Sequence, residues 1–231
     1  MKIALLGYGK MGKTIERLAE GRGHEIIFRI TDDIEKYDLQ KADVAIDFSV
    51  PDAAFNNITT CFRQQIPVVS GTTGWLQQYD DAVKICEENN SAFIYASNFS
   101  LGVTLFFELN KQLAQMMKNF PEYKVGIEEI HHTQKLDAPS GTAITLAEQI
   151  LETSEKKAWK LDAVAEDELR ITAKRIENVP GTHIISYDSP VDTIKIEHIA
   201  HSRDGFALGA IVAAEWLQHK KGIFSMKDVL F

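Results

Sequence analysis

The sequence is poor in cysteine and has neither a long apolar run nor an excess of basic residues. Its 231 residues include only Cys61 and Cys86, too few for a disulfide framework or a cysteine-based zinc site. No apolar stretch reaches the ~18 residues that a membrane-spanning helix needs. The short apolar start at residues 3–6 is followed at once by charged residues, unlike a signal peptide. We therefore expect a cytoplasmic protein with free thiols and no membrane partner.

The charge balance disfavours another class of partner. The chain has 33 acidic and 25 basic residues, a formal net charge of −8, which argues against nucleic acid. The negative net charge does not exclude an anionic small molecule as a ligand, because a local cluster of basic groups can outweigh a distant negative surface. The 45% apolar and 25% charged shares are those of a folded globular protein.

Up to about residue 102, short apolar runs alternate with segments of helical spacing. This alternation predicts βαβ units and a parallel sheet. The predicted strands are residues 3–6, 25–30, 44–48, 67–70 and 92–96, and the predicted helices are residues 11–22, 51–65 and 78–89.

The pattern changes after residue 102. Helices are predicted at 105–118 and 141–152, and strands at 123–132, 168–176, 182–188 and 193–200. Consecutive strands favour a mixed or antiparallel sheet. We predict domains at 1–102 and 103–204, with a C-terminal helix at 205–231 that packs back on the first.

A glycine-rich turn lies between the first predicted strand and the first predicted helix. In G-x-G-x-x-G, Gly7 allows a tight turn, Gly9 lets the backbone approach a pyrophosphate, and Gly12 lets helix and strand pack closely. A glycine-rich turn without a ligand is the alternative, but an acidic residue ~20 positions downstream favours a dinucleotide. The predicted cofactor-binding residues here are Gly7, Tyr8, Gly9, Lys10, Met11, Gly12 and Asp32. The predicted fold is thus α/β, a Rossmann-type parallel-sheet dinucleotide-binding domain plus a smaller α+β domain with a mixed sheet.

The cofactor is predicted to be NADPH or NADH. Asp32 and Asp33 favour the ribose hydroxyls of NADH, whereas the nearby Arg29, Lys10 and Lys13 suit the phosphate of NADPH. Two later loops, at the carboxyl ends of strands, offer hydroxyls and amides for the nicotinamide half, although ordinary polar loops fit equally well. Their predicted cofactor-binding residues are Gly71, Thr72, Thr73, Ala96, Ser97, Asn98 and Phe99.

Polar side chains crowd residues 131–142. His131, His132 and Lys135 are of the types best suited to giving a proton or pairing with a carboxylate. The run from Ser140 to Thr142 follows a proline and has the character of a helix start, where N–H groups and the helix dipole favour an anion. The segment therefore indicates a site for an acid–base reaction on a carboxylate.

Other interpretations of this segment are open at this point. Successive strand residues point to opposite faces, so both histidines can face one pocket only if the strand ends there. Residues 137–140 also fit a simple capping turn. A metal site made by the histidines with Glu128 and Glu129 has no support from helical spacing, and we predict no metal.

The segment Glu129–Ala143, which reads EIHHTQKLDAPSGTA, resembles the signature of the dihydrodipicolinate reductases, also called 4-hydroxy-tetrahydrodipicolinate reductases. These enzymes act in diaminopimelate and lysine biosynthesis. The likeness extends to the Gly7 turn and to residues 71–73, 98–100 and 202–207. The family's turn is often one residue longer and has an arginine where this chain has Lys10, a departure that bears on cofactor preference.

The resemblance implies a homotetrameric enzyme that transfers hydride from NAD(P)H to C4 of a cyclic unsaturated dicarboxylate. It implies that His131 is the acid/base residue and Lys135 the proton donor. His132, Ser140, Gly141 and Thr142 would bind the substrate. The alternatives are another Rossmann dehydrogenase of amino-acid metabolism, which has no reason to carry residues 131–142, and a non-catalytic NAD(P)-sensing protein, which has no need of Lys135 or His131.

Overall fold

The computed structural model describes residues 1–162 and 165–231, which divide into two compact units. The first unit is Met1–Leu101 with Asp204–Phe231, and the second is Gly102–Arg203. The helices are α1 Lys10–Gly21, α2 Pro51–Arg63, α3 Tyr79–Glu88, α4 Leu101–Met117, α5 Gly141–Leu151, α6 Asp204–Leu217 and α7 Met226–Leu230. Among the described residues, no helix has the length and apolar character needed to cross a membrane.

The first unit is built on a parallel sheet of six strands. They are β1 Lys2–Leu6, β2 Glu25–Ile30, β3 Val44–Asp47, β4 Val68–Ser70, β5 Ala92–Tyr95 and β11 Gly222–Phe224. Their order across the sheet is β11-β5-β4-β3-β1-β2, and every pairing is parallel. Ile3 to Leu6 are all fully buried, as expected of a strand covered on both faces.

The end of the chain differs from the predicted helix at 205–231. Helix α6 stops at Leu217, and His219 and Gly222 adopt positive φ angles of 61° and 115°, which a continuing helix does not allow. Residues 222–224 then pair with β5 as an edge strand. The prediction of one helix to residue 231 was therefore wrong beyond Leu217, and β11 was missed because three residues carry too little periodicity.

The second unit is built on a mixed sheet of five strands. They are β6 Lys124–His131, β7 Ala158–Leu161, β8 Glu168–Arg175, β9 Gly181–Asp188 and β10 Thr193–Ala200, in the order β10-β9-β6-β8-β7. Strand β9 runs antiparallel to both β6 and β10, whereas β6 and β7 pair with β8 in parallel. Together, the two sheets confirm the predicted fold class, although β7 was not predicted.

One face of the mixed sheet carries the apolar core of the second unit. Ile127, Ile171 and Ile185 pack there with Phe106 of α4 and Leu146 of α5. Since strand residues alternate between faces, the opposite face carries polar side chains, among them the Lys174–Glu128 ion pair between β8 and β6.

Candidate active site

Of the three glycines in the glycine-rich turn, only Gly9 has open space where a side chain would lie. Gly7 has φ +90°, and a Cβ there would lie 2.3 Å from the Phe48 carbonyl oxygen. A Cβ on Gly12 would lie 2.4 Å from the Gly7 carbonyl oxygen. Gly9 differs, because nothing lies within 4 Å of its Cβ position. Gly7 and Gly12 are thus required by packing, while Gly9 leaves open space at the start of α1, as a pyrophosphate needs.

The turn lies where an open parallel sheet binds its ligands. Strand β1 pairs with β2 on one side and β3 on the other, so the strand order reverses here, and ligands bind outside the carboxyl ends of the strands at such a point. The loop after β4 meets the loop after β3: the Ser49 N–H donates to Thr72 Oγ1 at 2.9 Å, and a Cβ on Gly71 would lie 2.2 Å from the Phe48 ring.

The fully buried carboxylate of Asp47 connects the loop after β3 to the end of β4. It accepts hydrogen bonds from Ser49 Oγ at 2.6 Å and from Ser70 Oγ at 2.8 Å. Burial raises the pKa of Asp47, and the hydroxyl donors oppose that rise. Sequence analysis gave Asp47 no role, because an acidic residue at the end of a strand does not by itself predict a function.

The loop after β5 is supported by helix α6. Asn98 Oδ1 accepts from the Ser100 N–H at 2.8 Å, and the ring of Phe99 lies 5.9 Å from that of Phe48. A Cβ on Gly209 would lie only 1.6 Å from the Phe99 carbonyl oxygen. The absence of a side chain at Gly209 therefore sets how closely α6 approaches this loop. Apart from Asp32, the predicted cofactor-binding residues lie in the loops after β1, β4 and β5 or, for Lys10, Met11 and Gly12, in the first turn of α1.

The charged groups near the end of β2 are already paired. Asp32 accepts from Lys36 Nζ at 3.0 Å and from Tyr37 Oη at 2.9 Å, and the Lys36 contact is the main cause that lowers the pKa of Asp32. Arg29 is bound by Glu16, which also accepts from the Tyr8 hydroxyl. The guanidinium that would suit a 2′-phosphate thus has a carboxylate partner.

In the second unit, β6 ends at His131, and this separates the two histidines. His131 is 8% exposed, and among the described residues its buried Nδ1 has no hydrogen-bond partner, although it lies 3.8 Å from Glu129 Oε2. His132, beyond the strand end, lines a cavity of about 360 Å³ together with Asn178, Ser202 and Arg203. Sequence analysis gave Arg203 no site role, although the Ser-Arg pair before α6 was noted as part of the resemblance.

Lys135 lies in the loop between β6 and α5. Its Nζ contacts both carboxylate oxygens of Asp137 at 2.8 Å, which lowers the pKa of Asp137. Its side chain is 21% exposed, against 63% for Asp137. The predicted proton donor is therefore at the surface of this unit with one anionic partner.

Ser140 caps helix α5, as the sequence predicted for a helix start. Its Oγ accepts the Ala143 N–H at 3.2 Å, while Gly141 and Thr142 occupy the first turn. The first N–H groups of a helix have no partner within it, so this end suits a carboxylate.

Glu129 lies at the centre of a buried polar cluster beneath this segment. It is fully buried and accepts from the Ser140 N–H at 2.9 Å and from Arg175 at 3.3 Å. His183 lies 3.9 Å from Glu129 and bonds to Ser140 Oγ at 3.1 Å. Glu129, His131 and His183 are spaced closely enough for a metal, but the guanidinium beside Glu129 opposes a cation, and the expectation of no metal stays a prediction.

Burial lowers the pKa of both histidines of this cluster. Burial is the largest cause lowering the pKa of His131, opposed by the carboxylate of Glu129. Burial also lowers the pKa of His183 to about 3, and the two rings lie 5.1 Å apart. A lowered pKa favours the neutral imidazole of His131, which is the form that accepts a proton.

Comparisons with known proteins decide the family. Residues 19–99 match the family model described as "Dihydrodipicolinate reductase, N-terminus", and residues 102–230 match the one described as "Dihydrodipicolinate reductase, C-terminus". The chain belongs to the dihydrodipicolinate reductase family. The resemblance stated from residues 129–143 is thereby confirmed, and the first unit is the family's Rossmann-type nucleotide-binding domain.

Individual relatives and solved structures are similar to the chain to different degrees. A 4-hydroxy-tetrahydrodipicolinate reductase of Christiangramia forsetii is 65% identical over 233 aligned positions, which cover 100% of this chain and 98% of the relative. A dipicolinate-bound dihydrodipicolinate reductase from Paenisporosarcina sp. TG-14 has the same fold, with a TM-score of 0.81, 23% identity and coverage of 100% and 99%. An amine dehydrogenase from Mycobacterium smegmatis resembles the fold more distantly, with a TM-score of 0.62, 7% identity and coverage of 98% and 95%.

Proposed function

We propose that the protein catalyses the NAD(P)H-dependent reduction of 4-hydroxy-tetrahydrodipicolinate to tetrahydrodipicolinate, a step of diaminopimelate and lysine biosynthesis. The observation that carries this proposal is the fold of residues 129–142. A strand end presents His131, a loop presents Lys135, and a capped helix start follows. The 65% identity to a reductase of this name supports the same assignment.

The second unit supplies the groups that handle the substrate. One carboxylate binds at the start of α5, on Ser140, Gly141 and Thr142, where the helix dipole favours an anion. His132 contacts the substrate from the cavity that it shares with Arg203. Lys135 gives the proton and His131 assists as acid/base. When bound, the reduced nicotinamide supplies the hydride.

The first unit holds the cofactor through the Gly7–Gly12 turn and the loops at residues 71–73 and 96–99. The charges near β2 favour NADH over NADPH. Arg29 is ion-paired with Glu16, which makes it less available to a 2′-phosphate. Asp32 is ion-paired with Lys36, and its carboxylate still suits ribose hydroxyls. Separate kcat/KM measurements with NADH and NADPH test this preference, which a higher value for NADPH would contradict.

The polar face of the mixed sheet is the surface through which we expect a homotetramer to assemble. It is the face opposite the helices and carries the Lys174–Glu128 pair. Sedimentation of the purified protein at several concentrations measures the assembly state. The cytoplasmic location stays a prediction.

A coupled assay tests the reaction itself. The protein is mixed with pyruvate, aspartate semialdehyde and the upstream synthase, and the absorbance of NADH and NADPH is followed separately. Oxidation that requires the synthase supports the proposed reaction, and dipicolinate should inhibit it. No oxidation of either cofactor would defeat the proposal.

A further inference from the structure

We propose that Arg175 and Glu129 form a positioning pair that fixes the Lys135 loop for catalysis. This inference rests on the proposed function, because it assigns a role toward the same reaction. Neither residue is taken to touch the substrate: each acts through the backbone of the segment between β6 and α5. The two residues lie 46 positions apart in the sequence.

Arg175 binds two backbone carbonyl oxygens of the loop. Its guanidinium donates to the Asp137 carbonyl oxygen at 2.6 Å and to the Lys135 carbonyl oxygen at 3.3 Å. The pairing of β8 with β6 places Arg175 opposite His131, and the Ile176 N–H donates to the His131 carbonyl oxygen at 2.8 Å. The arginine thus extends from the strand end across the loop that carries the proton donor.

Glu129 connects this arginine to the start of the carboxylate-binding helix. One carboxylate oxygen accepts from Arg175 at 3.3 Å, and the other accepts from the Ser140 N–H at 2.9 Å. A fully buried carboxylate needs such charged and N–H partners to offset its loss of hydration. The Glu129 side chain therefore contacts both the arginine that binds the Lys135 loop and the backbone of Ser140, the cap of α5.

Apolar packing does little to hold the exposed part of the loop in one position. Leu136, its large apolar side chain, is 98% exposed, and residues 136–138 are all exposed. A segment with few buried apolar contacts opens easily unless polar contacts restrain it. The planar guanidinium of Arg175 binds Glu129 and the carbonyl oxygens of Lys135 and Asp137 at the same time. The ammonium group of a lysine cannot make the same set of contacts.

Two substitutions of Arg175 test the proposal in the full-length protein. Arg175→Gln and Arg175→Lys are expected to lower kcat at least ten-fold while changing the Kd for NADH less than two-fold. Added guanidinium ion should restore part of the kcat of Arg175→Gln. Lys157→Gln is the matched control, because it also removes one cation of a surface ion pair in this unit and should leave both quantities unchanged.

A second readout does not depend on activity. Trypsin cleaves after lysine, so release of the loop should speed cleavage between Lys135 and Leu136 several-fold in Arg175→Gln, and not in the Lys157→Gln control. Glu129→Gln should have a similar effect, and the double variant should be no faster than either single one.

The outcomes separate this inference from the proposed function. If wild type reduces no substrate, the proposed function fails, whereas the rate of tryptic cleavage still decides whether Arg175 holds the loop. Unchanged kcat and unchanged cleavage in folded Arg175→Lys would overturn the inference. An equal loss of NADH binding would also overturn it, because it would indicate a general structural defect.

Discussion

Lys135 and Asp137 form a two-point ion pair, with Nζ 2.8 Å from each carboxylate oxygen of Asp137. Only Leu136 separates them along a loop in which Arg175 binds the carbonyl oxygens of Lys135 and Asp137. The proposed proton donor thus has an anionic partner from its own chain. A dicarboxylate substrate must compete with that partner for the ammonium group.

Replacing Lys135 by alanine should remove the proton donor. General acid catalysis typically contributes ~10²–10⁴-fold, so we expect Lys135→Ala to lower kcat by about that factor. The Kd for NADH should stay within two-fold, because Lys135 belongs to the second unit and the proposed nucleotide-binding loops belong to the first. Stopped-flow titration and steady-state kinetics measure both quantities. An unchanged kcat would show that another group gives the proton.

Replacing Asp137 by asparagine should favour substrate binding. The amide is neutral and competes poorly for Nζ, so KM for the dicarboxylate should fall several-fold at pH 7.5. The matched control is Asp167→Asn, which breaks the ion pair with Lys157 in the same unit and should leave KM unchanged. A higher KM in Asp137→Asn would mean that this carboxylate orients Lys135 for the substrate instead of competing with it.

Local signals in the sequence predicted the individual parts of the site but not their support. The glycine spacing predicted the turn before α1, and the run from Ser140 to Thr142 predicted a helix start, since both depend on neighbouring residues. Glu129 and Arg175 meet only because β6 and β8 pair in parallel. Such a pairing between distant segments has no periodicity, so sequence analysis could not predict the buried network.

The glycine turn offers a test that separates ligand binding from folding. A Cβ on Gly9 meets nothing within 4 Å, so Gly9→Ala should fold with a free energy of unfolding within about 1 kcal/mol of wild type. Its methyl group should nevertheless crowd the pyrophosphate and raise the Kd for NADH at least ten-fold. Fluorescence titration measures the Kd, and urea unfolding measures the stability.

Gly7→Ala is the contrasting variant. Its Cβ would lie 2.3 Å from a carbonyl oxygen at φ +90°, so it should lose several kcal/mol of stability. Normal NADH affinity in Gly9→Ala would place the pyrophosphate elsewhere.

Helix α6 contains two glycines with opposite expected responses. A Cβ on Gly209 would lie 1.6 Å from the Phe99 carbonyl oxygen, whereas a Cβ on Gly205 would make an ordinary contact at 3.7 Å with Ser100 Oγ. Alanine favours a helix over glycine by up to ~1 kcal/mol, so Gly205→Ala should match or exceed wild-type stability. Gly209→Ala should lose about 3 kcal/mol or more, because backbone must move. Equal melting temperatures for the two variants would contradict this packing.

The core of this unit was predictable in outline, while its closest contacts were not. The apolar run of α6 predicted a helix packed on the first unit's sheet, and Ala210 and Ala214 do lie in the core around β1 and β3. The close approach of Gly209 to Phe99 depends on the rotation and position of α6 against the sheet. A single glycine in an apolar run does not predict that position.

Burial of His183 should make stability depend on pH in a known direction. Its pKa is about 3 in the folded protein, against an ordinary value of 6.5. Above pH 6.5, both folded and unfolded states hold the ring neutral, and it contributes no pH dependence. Between pH 6.5 and 3, the unfolded chain binds a proton that the native state does not, so the free energy of unfolding falls as pH falls.

His183→Gln should remove this contribution. Urea unfolding at intervals from pH 7.5 to 5 should give a shallower decline than in wild type, by at most ~1.4 kcal/mol per pH unit, the value for one proton. Glutamine can still hydrogen-bond to Ser140 Oγ, so the variant should fold. His201→Gln changes an exposed side chain and should follow the wild-type curve. A decline in His183→Gln as steep as that of wild type would show that water reaches His183 in the native state, and that the buried network beneath the Lys135 loop is open to solvent.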